Sequence, residues 1–211
     1  SEAIANIYSG RHSWSIVKLY YANFYFLRTR LYLNGFALIR SGGGLYLLRA
    51  HLNETPIKQS PGNKKYAGDH GIVIKLQNDH FASNDILLTN TVNGCNVYEW
   101  LKEQRELIHY KERQFQDPKI IELVKKISPQ RNSLQLRNNI DLYLNDTSHI
   151  YCFLEEHSCL AAPLVSSYLA LQQIRQARLK PFSAAFNKHI QSIIPFPHTN
   201  QSKLESILTC Q

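Results

Sequence analysis

The hydrophobic pattern of the chain is dominated by one long segment, Ser13–Leu33, which contains neither Gly nor Pro. Apolar side chains recur in it at spacings of three and four residues, as in an α-helix. They are Trp14, Val17, Tyr21, Phe24, Leu27 and Leu31. Further aromatic residues lie off this stripe, so the segment is apolar on almost every side. Because a helix of that kind is usually enclosed by its neighbours, we predict the central helix of the fold here.

Charged residues argue against a membrane location for this segment. About 20 residues are enough to cross a bilayer, but Lys18, Arg28 and Arg30 lie within it. A charge near the bilayer centre costs several kcal/mol. The N-terminal residues also show no basic region leading into an apolar run. We therefore expect a cytoplasmic protein without a membrane partner.

After Asn34-Gly35, a pair suited to a helix C-cap, the pattern changes to that of strands. Two short apolar runs, FALIR and LYLLRAHL, flank a glycine triplet at residues 42–44. This arrangement predicts a hairpin. The triplet is not followed by the Gly-Lys-Ser/Thr ending of a phosphate-binding loop, so we interpret it as a turn. A polar loop rich in Pro and Gly follows at 53–69.

The remaining segments have helical patterns. Residues 70–81 form a shorter apolar helix, and residues 97–115 form a clearly amphipathic one. Weaker patterns follow at 119–127 and 133–144, and then at 149–180, where Pro163 either kinks a helix or starts its second part.

Composition adds a bias towards anionic partners. The chain has 24 Lys and Arg against 16 Asp and Glu, a net charge of +8. This excess favours nucleic acid before membrane, because Lys and Arg release counterions from phosphates; an ordinary basic protein is the alternative. The cysteines, which are Cys95, Cys152, Cys159 and Cys210, have no spacing suited to zinc. We expect free thiols and no metal or other cofactor.

The most informative polar group lies on the 97–115 helix. At about 100° per residue, Tyr98, Arg105 and His109 share one face beside the buried stripe. Arg105 and His109 are i, i+4 neighbours. A guanidinium can hold a phosphate and an imidazole can transfer protons near neutral pH, which suits a phosphodiester. The alternative is structural: Arg105 pairs with a nearby glutamate and His109 contributes only packing.

Three segments resemble the HEPN domain family, including its YaaC-like branch: WSIVKLYYANFYFLRTRLYLNGF, HGIVIKLQNDHF and VYEWLKEQRELIHY. They carry a YYA-x-F helix, a later H-x-x-V/I…F helix and an Arg shortly before a His, and they cover roughly residues 13–113. The resemblance implies an all-α, up-and-down helical bundle, often dimeric, here with a small β-hairpin insertion near 36–52. We accordingly expect a HEPN-like core at 1–115, with its insertion at 36–69, and a helical C-terminal extension at 116–211.

Active members of that family form a metal-independent RNase site from an Arg-x(4–6)-His motif of two protomers. The 2′-OH attacks the adjacent phosphate, His acts as acid or base and Arg stabilises the negative charge. The resemblance thus implies Arg105 and His109 as catalytic residues in a defence or toxin–antitoxin protein that acts on RNA. Two positions depart from the pattern. Only three residues separate Arg105 from His109, and Tyr25 stands where many relatives carry His.

These departures leave several functions open. The first is an endoribonuclease, and the second is a non-catalytic subunit that binds nucleic acid or a partner protein as a scaffold. A small-molecule enzyme whose pocket is formed by the 35–70 hairpin and loop over the helices is a third. We expect RNA or another nucleic acid to be bound through Tyr98, Lys64, Lys65 and Arg113, and we expect a homodimer or a protein partner in a defence complex.

Overall fold

A computed structural model describes residues 2–60, 62, 64–111, 118–177, 179 and 183–193. Helices make up most of these residues. In chain order they are α1 (Glu2–Tyr8), α2 (His12–Leu33), α3 (Gly68–Phe81), α4 (Val97–Glu106), α5 (Lys119–Ile127), α6 (Ser133–Asn145), α7 (Glu155–Gln176) and α8 (Ala184–Ile193). Single helical turns lie at Lys64–Tyr66, Ile86–Leu88 and Ile150–Cys152, and a π-helical segment, Leu107–Lys111, continues α4.

Two small antiparallel sheets accompany the helices. One joins β1 (Phe36–Ser41), β2 (Gly44–Arg49) and β3 (Ile57–Lys58), and the other joins β4 (Thr91–Val92) and β5 (Cys95–Asn96). In the first hairpin Phe36 pairs with Arg49 and Ser41 with Gly44. The two turn residues, Gly42 and Gly43, have φ angles of 53° and 75°, which glycine adopts without steric cost. The hairpin predicted from the glycine triplet is therefore present.

The helices α2 and α7 form the centre of the fold, and their contact is the most extensive between helices of the described chain. From α2, Ile16, Phe24, Leu27 and Leu31 are buried. From α7, the whole run 158–162 is buried, and most of its side chains are small. α7 is continuous through Pro163, so that proline does not begin a separate helix.

The prediction of an all-α, HEPN-like up-and-down bundle is wrong. The two β-sheets place the chain outside the all-α class. In an up-and-down bundle, moreover, each helix packs mainly on its sequence neighbours, whereas α2 packs most extensively on the distant α7 and also contacts α1, α3, α4 and α5. The physical reason is that α2 is apolar on several sides, so it gathers helices from both parts of the chain. The division of the chain at residue 115 stays a prediction.

The central helix differs from its predicted pattern on one side. Val17, Phe24 and Leu27 are buried as predicted, but Trp14 is 58% exposed. Tyr20, which lies off the predicted stripe, is only 2% exposed. Neighbouring elements therefore cover α2 on several sides but leave one face open to solvent.

Two further observations bear on the predictions. The amphipathic helix predicted at 97–115 is α-helical only to Glu106, and its last residues, 112–115, lie outside the described part of the chain. Within the described part, no helix combines the length and the hydropathy that crossing a bilayer requires.

Candidate functional site

The open face of α2 carries aromatic and basic side chains in alternation. At about 100° per residue, Trp14, Tyr25 and Tyr32 fall within about 20° of one another around the helix. Their exposed fractions are 58%, 60% and 69%. Lys18 and Arg28 lie about 40° to either side of Trp14. We call these five residues, together with Tyr21, the aromatic–basic face.

The two cations of this face are held only by surface contacts. Lys18 Nζ lies 2.6 Å from Oε2 of Glu2, and both side chains are well exposed. Ion pairs of this kind contribute at most about 1 kcal/mol. The guanidinium carbon of Arg28 lies 5.9 Å from the ring centroid of Phe24. Both charges can therefore meet an anion from solvent at little cost.

Arg105, at the end of α4, is attached to this face. Its Nη2 donates a hydrogen bond to the hydroxyl of Tyr21 at 2.5 Å. Its guanidinium carbon lies 5.3 Å from the Tyr21 ring centroid and 6.0 Å from that of Tyr20. Cation–π contacts of this length are attractive. The guanidinium is thus fixed in position beside the two tyrosines.

A partly buried contact supports the tyrosine pair from α3. The hydroxyl of Tyr20 lies 2.8 Å from Nδ1 of His70, and the His70 ring lies 4.1 Å from the ring of Phe24, centroid to centroid. Burial raises the pKa of Tyr20 well above its usual value, against the lowering effect of Arg105. Burial, and secondly the charge of Arg105, lower the pKa of His70. At pH 7 the phenol is therefore protonated and the imidazole neutral.

His109 lies in the π-helical segment Leu107–Lys111 and is exposed. Its ring meets Trp14 edge to face, with 6.0 Å between centroids. Partial burial and the nearby charge of Arg105 both lower the pKa of His109, so its imidazole is neutral at pH 7 and can accept a proton. π-Turns are frequent at functional sites. The structure thus places both predicted catalytic residues next to the aromatic–basic face.

Of the other predicted binding residues, Tyr98 is buried in the core. Tyr98 is 1% exposed, its hydroxyl donates to Asp85 Oδ2 at 2.7 Å, and its burial leaves no ring surface for a nucleic acid. Lys64 is exposed in the turn Lys64–Tyr66. The backbone of Lys65 lies in the same turn, whereas Arg113 lies outside the described residues.

Several residues of this site were not predicted from the sequence. Trp14 was expected to be buried, although it repeats with Tyr25 and Tyr32 at intervals of 11 and 7 residues, which puts the three rings on one side of a helix. That repeat was a usable signal. His70 and its partner Tyr20 are 50 residues apart in the chain, so no local pattern indicates their contact.

In the described ranges, no group of three or more His, Cys, Asp and Glu side chains is arranged to hold a metal ion. Comparison with known proteins adds no relatives: no protein-family model matches the chain, and no curated protein or solved structure is significantly similar to it.

Proposed function

We propose that this protein binds single-stranded RNA along the aromatic–basic face of α2. The observation that supports this proposal is the alternation of exposed aromatic rings with cations on one side of one helix. Single-stranded nucleic acids bind where bases stack on aromatic rings and the backbone meets positive charge. The net charge of +8 adds a long-range attraction for polyanions.

The dimensions of the face suit an extended strand. From Trp14 to Tyr32 the helix rises by about 27 Å, at 1.5 Å per residue. Stacking is worth about 1–3 kcal/mol per base, so the three exposed rings together can supply substantial affinity without base-specific hydrogen bonds. We therefore expect weak sequence preference and a marked dependence on salt.

Cleavage of the bound RNA is a second candidate function, supported by a neutral, exposed His109 near the fixed guanidinium of Arg105. In this reaction the 2′-oxygen attacks the adjacent phosphorus and its proton passes to His109. The bond from phosphorus to the 5′-oxygen breaks, and that oxygen takes a proton from solvent. Arg105 stabilises the negative charge on the phosphoryl oxygens. The products are a 2′,3′-cyclic phosphate and a 5′-hydroxyl.

Fluorescence anisotropy with a labelled single-stranded RNA tests the binding proposal. Tyr25→Ser and Tyr32→Ser are each expected to weaken binding by about tenfold or more, the loss of one stacked base. Leu52→Ser is the matched control, since Leu52 is 92% exposed and lies outside the face. Equal affinity for duplex RNA, or an equal loss in Leu52→Ser, contradicts the proposal. The proposal is also contradicted if the wild-type protein binds no RNA and instead forms a homodimer that Tyr25→Ser dissociates.

Cleavage needs a separate assay, with the labelled RNA incubated in EDTA and the products tested for a cyclic phosphate end. His109→Ala and Arg105→Ala are expected to abolish cleavage, whereas His51→Ala, at an exposed loop position, leaves it intact. Absence of cleavage by the wild-type protein refutes the second candidate and leaves the binding proposal standing.

A further inference from the structure

A cavity of about 450 Å³ lies where the C-terminal part of α2, the loop after α3 and the C-terminal part of α7 meet. This volume is within the range of small-molecule sites. Its polar lining includes Arg30, His149 and three glutamines of α7, which are Gln172, Gln173 and Gln176. Phe26 and Leu169 contribute apolar wall. None of these residues belongs to the aromatic–basic face.

The charges at this cavity balance each other. Asp85 Oδ2 lies 2.6 Å from Nη1 of Arg30 and also accepts hydrogen bonds from Tyr98 at 2.7 Å and Gln77 at 2.8 Å. Burial, and secondly the Asp85 charge, raise the pKa of Tyr98, so the phenol stays neutral. Among the described lining residues, His149 is then the remaining ionisable group. A cavity with balanced charges favours an uncharged ligand, because a net charge would lose its hydration without gaining an opposite charge.

Three of the lining residues carry buried polar atoms without a hydrogen-bond partner in the described chain. They are Arg30 Nε, His149 Nδ1 and Gln173 Oε1. Leaving such groups unpaired is unfavourable. His149 also has a φ of 55°, a conformation that costs energy in residues other than glycine and is found at ligand sites. A ligand that forms hydrogen bonds with these atoms supplies the partners that they lack in the free protein.

We propose that this cavity binds a purine nucleoside. A glutamine side chain presents one donor and one acceptor side by side, which complements the edge of adenine. Gln173 and its neighbour Gln176 thus supply base-edge partners, Nε of Arg30 supplies a donor, and the apolar wall covers the face of the base. The cavity and the RNA-binding face involve different residues, so this inference does not depend on the proposed function.

Isothermal titration calorimetry of the full chain with adenosine tests the inference. We expect saturable binding of one adenosine per chain, at least tenfold tighter than binding of uridine, with no gain from the phosphate of AMP. Gln173→Leu is expected to weaken binding by at least about tenfold, at the low end of the value of an amide–base pair. Gln59→Leu is the matched control, since the Gln59 side chain donates to the nearby Ile57 carbonyl and does not line the cavity, and it leaves affinity unchanged.

A second variant blocks the cavity without removing a polar partner. Ala170 lines the cavity and is 4% exposed, so Ala170→Leu fills it and is expected to abolish adenosine binding. Circular dichroism melting establishes that each variant is folded; if Ala170→Leu is not, Gln173→Leu alone decides. Absence of adenosine binding to the wild-type chain, or unchanged affinity in the folded variants, overturns the proposal. Tighter binding of AMP than of adenosine overturns it as well.

Discussion

The hydroxyl of Tyr20 lies 2.8 Å from Nδ1 of His70, and this contact fastens the first turn of α3 to the middle of α2. Tyr20→Phe removes the hydroxyl, so the half-buried Nδ1 of His70 loses this hydrogen-bond partner. We expect a loss of about 1–2 kcal/mol in the free energy of unfolding, measured by urea denaturation. Tyr25→Phe removes a hydroxyl from an exposed ring and is expected to change stability by less than about 0.5 kcal/mol. Equal effects of the two substitutions contradict this role of the contact.

Acidification is expected to weaken the fold through His70 and through His157, which lies in the first turn of α7 with its Nδ1 2.8 Å from the hydroxyl of Tyr143. Burial lowers the pKa of both imidazoles below the usual 6.5. The unfolded chain therefore binds more protons than the folded chain just below pH 6.5, and stability falls as pH falls through that window. Above about pH 6.5 the contribution is fully present. Urea denaturation between pH 7.5 and 5 measures the loss.

The matched variants for this pH dependence are histidine-to-glutamine substitutions. His70→Gln together with His157→Gln is expected to reduce the decline of stability with acid, because two histidines with lowered pKa values are gone while His109 remains. His51→Gln, in an exposed loop, keeps the wild-type slope. A double variant with an unchanged slope refutes the assignment to these two histidines.

The charge of Arg105 is expected to be visible in the titration of His109. Partial burial and then the Arg105 charge lower the pKa of His109, so Arg105→Gln raises this pKa by removing one of the two causes. A proton NMR titration of the imidazole measures it without requiring any activity. Arg137→Gln, on α6, is the control that leaves the His109 titration in place. An unchanged His109 pKa in Arg105→Gln shows that the two side chains do not interact.

Salt dependence separates the two kinds of residue on the aromatic–basic face. For a single strand, the plot of log affinity against log salt has a slope of about −0.7 for each phosphate contact. Arg28→Gln is therefore expected to reduce the steepness of that slope by about 0.7. Trp14→Leu is expected to lower affinity by about 1–3 kcal/mol at unchanged slope. Identical slopes in Arg28→Gln and the wild type indicate that Arg28 does not contact a phosphate.

Asp85 is expected to be among the most sensitive positions of the fold. Its carboxylate accepts from Arg30, Tyr98 and Gln77 and from the Leu87 amide. Asp85→Asn leaves the Arg30 guanidinium without its counter-charge, a change that typically costs about 3–5 kcal/mol when the pair is buried. Asp79→Asn removes a carboxylate from a surface pair with Lys75 and is expected to cost less than about 1 kcal/mol. Thermal unfolding of both variants makes the comparison.

Features that depend on local sequence could be predicted, and those that depend on packing could not. The hairpin follows from Gly42 and Gly43, whose positive φ angles only a few residue types tolerate. No comparable local pattern in the sequence indicates that α2 packs on α7. Both helices are apolar on several sides, so their periodicity indicates that they are buried but not which helix they pack on. The resemblance to the HEPN family implied an up-and-down bundle, which is the wrong arrangement.

The residues of the candidate site show the same difference between what local sequence indicates and what packing decides. Arg105 and His109 could be selected because their side-chain chemistry and spacing are visible in the sequence. Tyr98 lies on the same face of a regular helical wheel, but it packs inward onto Asp85. Trp14 shows the reverse, since its apolar character predicts burial while its side chain stays 58% exposed beside His109. Whether an aromatic residue is core or surface is decided by which elements reach it.

The π-helical segment Leu107–Lys111 makes the position of His109 depend on the number of residues in this part of the chain. A π-turn takes up one more residue than an α-turn, because its hydrogen bonds span five residues and not four. Deleting Ile108 would allow a regular α-helix to continue from Glu106. His109 would then follow Glu106 by two α-helical steps of about 100° each, and not by three narrower π-helical steps, so its direction around the axis would change and it would leave Trp14. The number of residues in this segment thus determines the direction in which the His109 side chain points. Inserting or deleting a single residue here changes that direction.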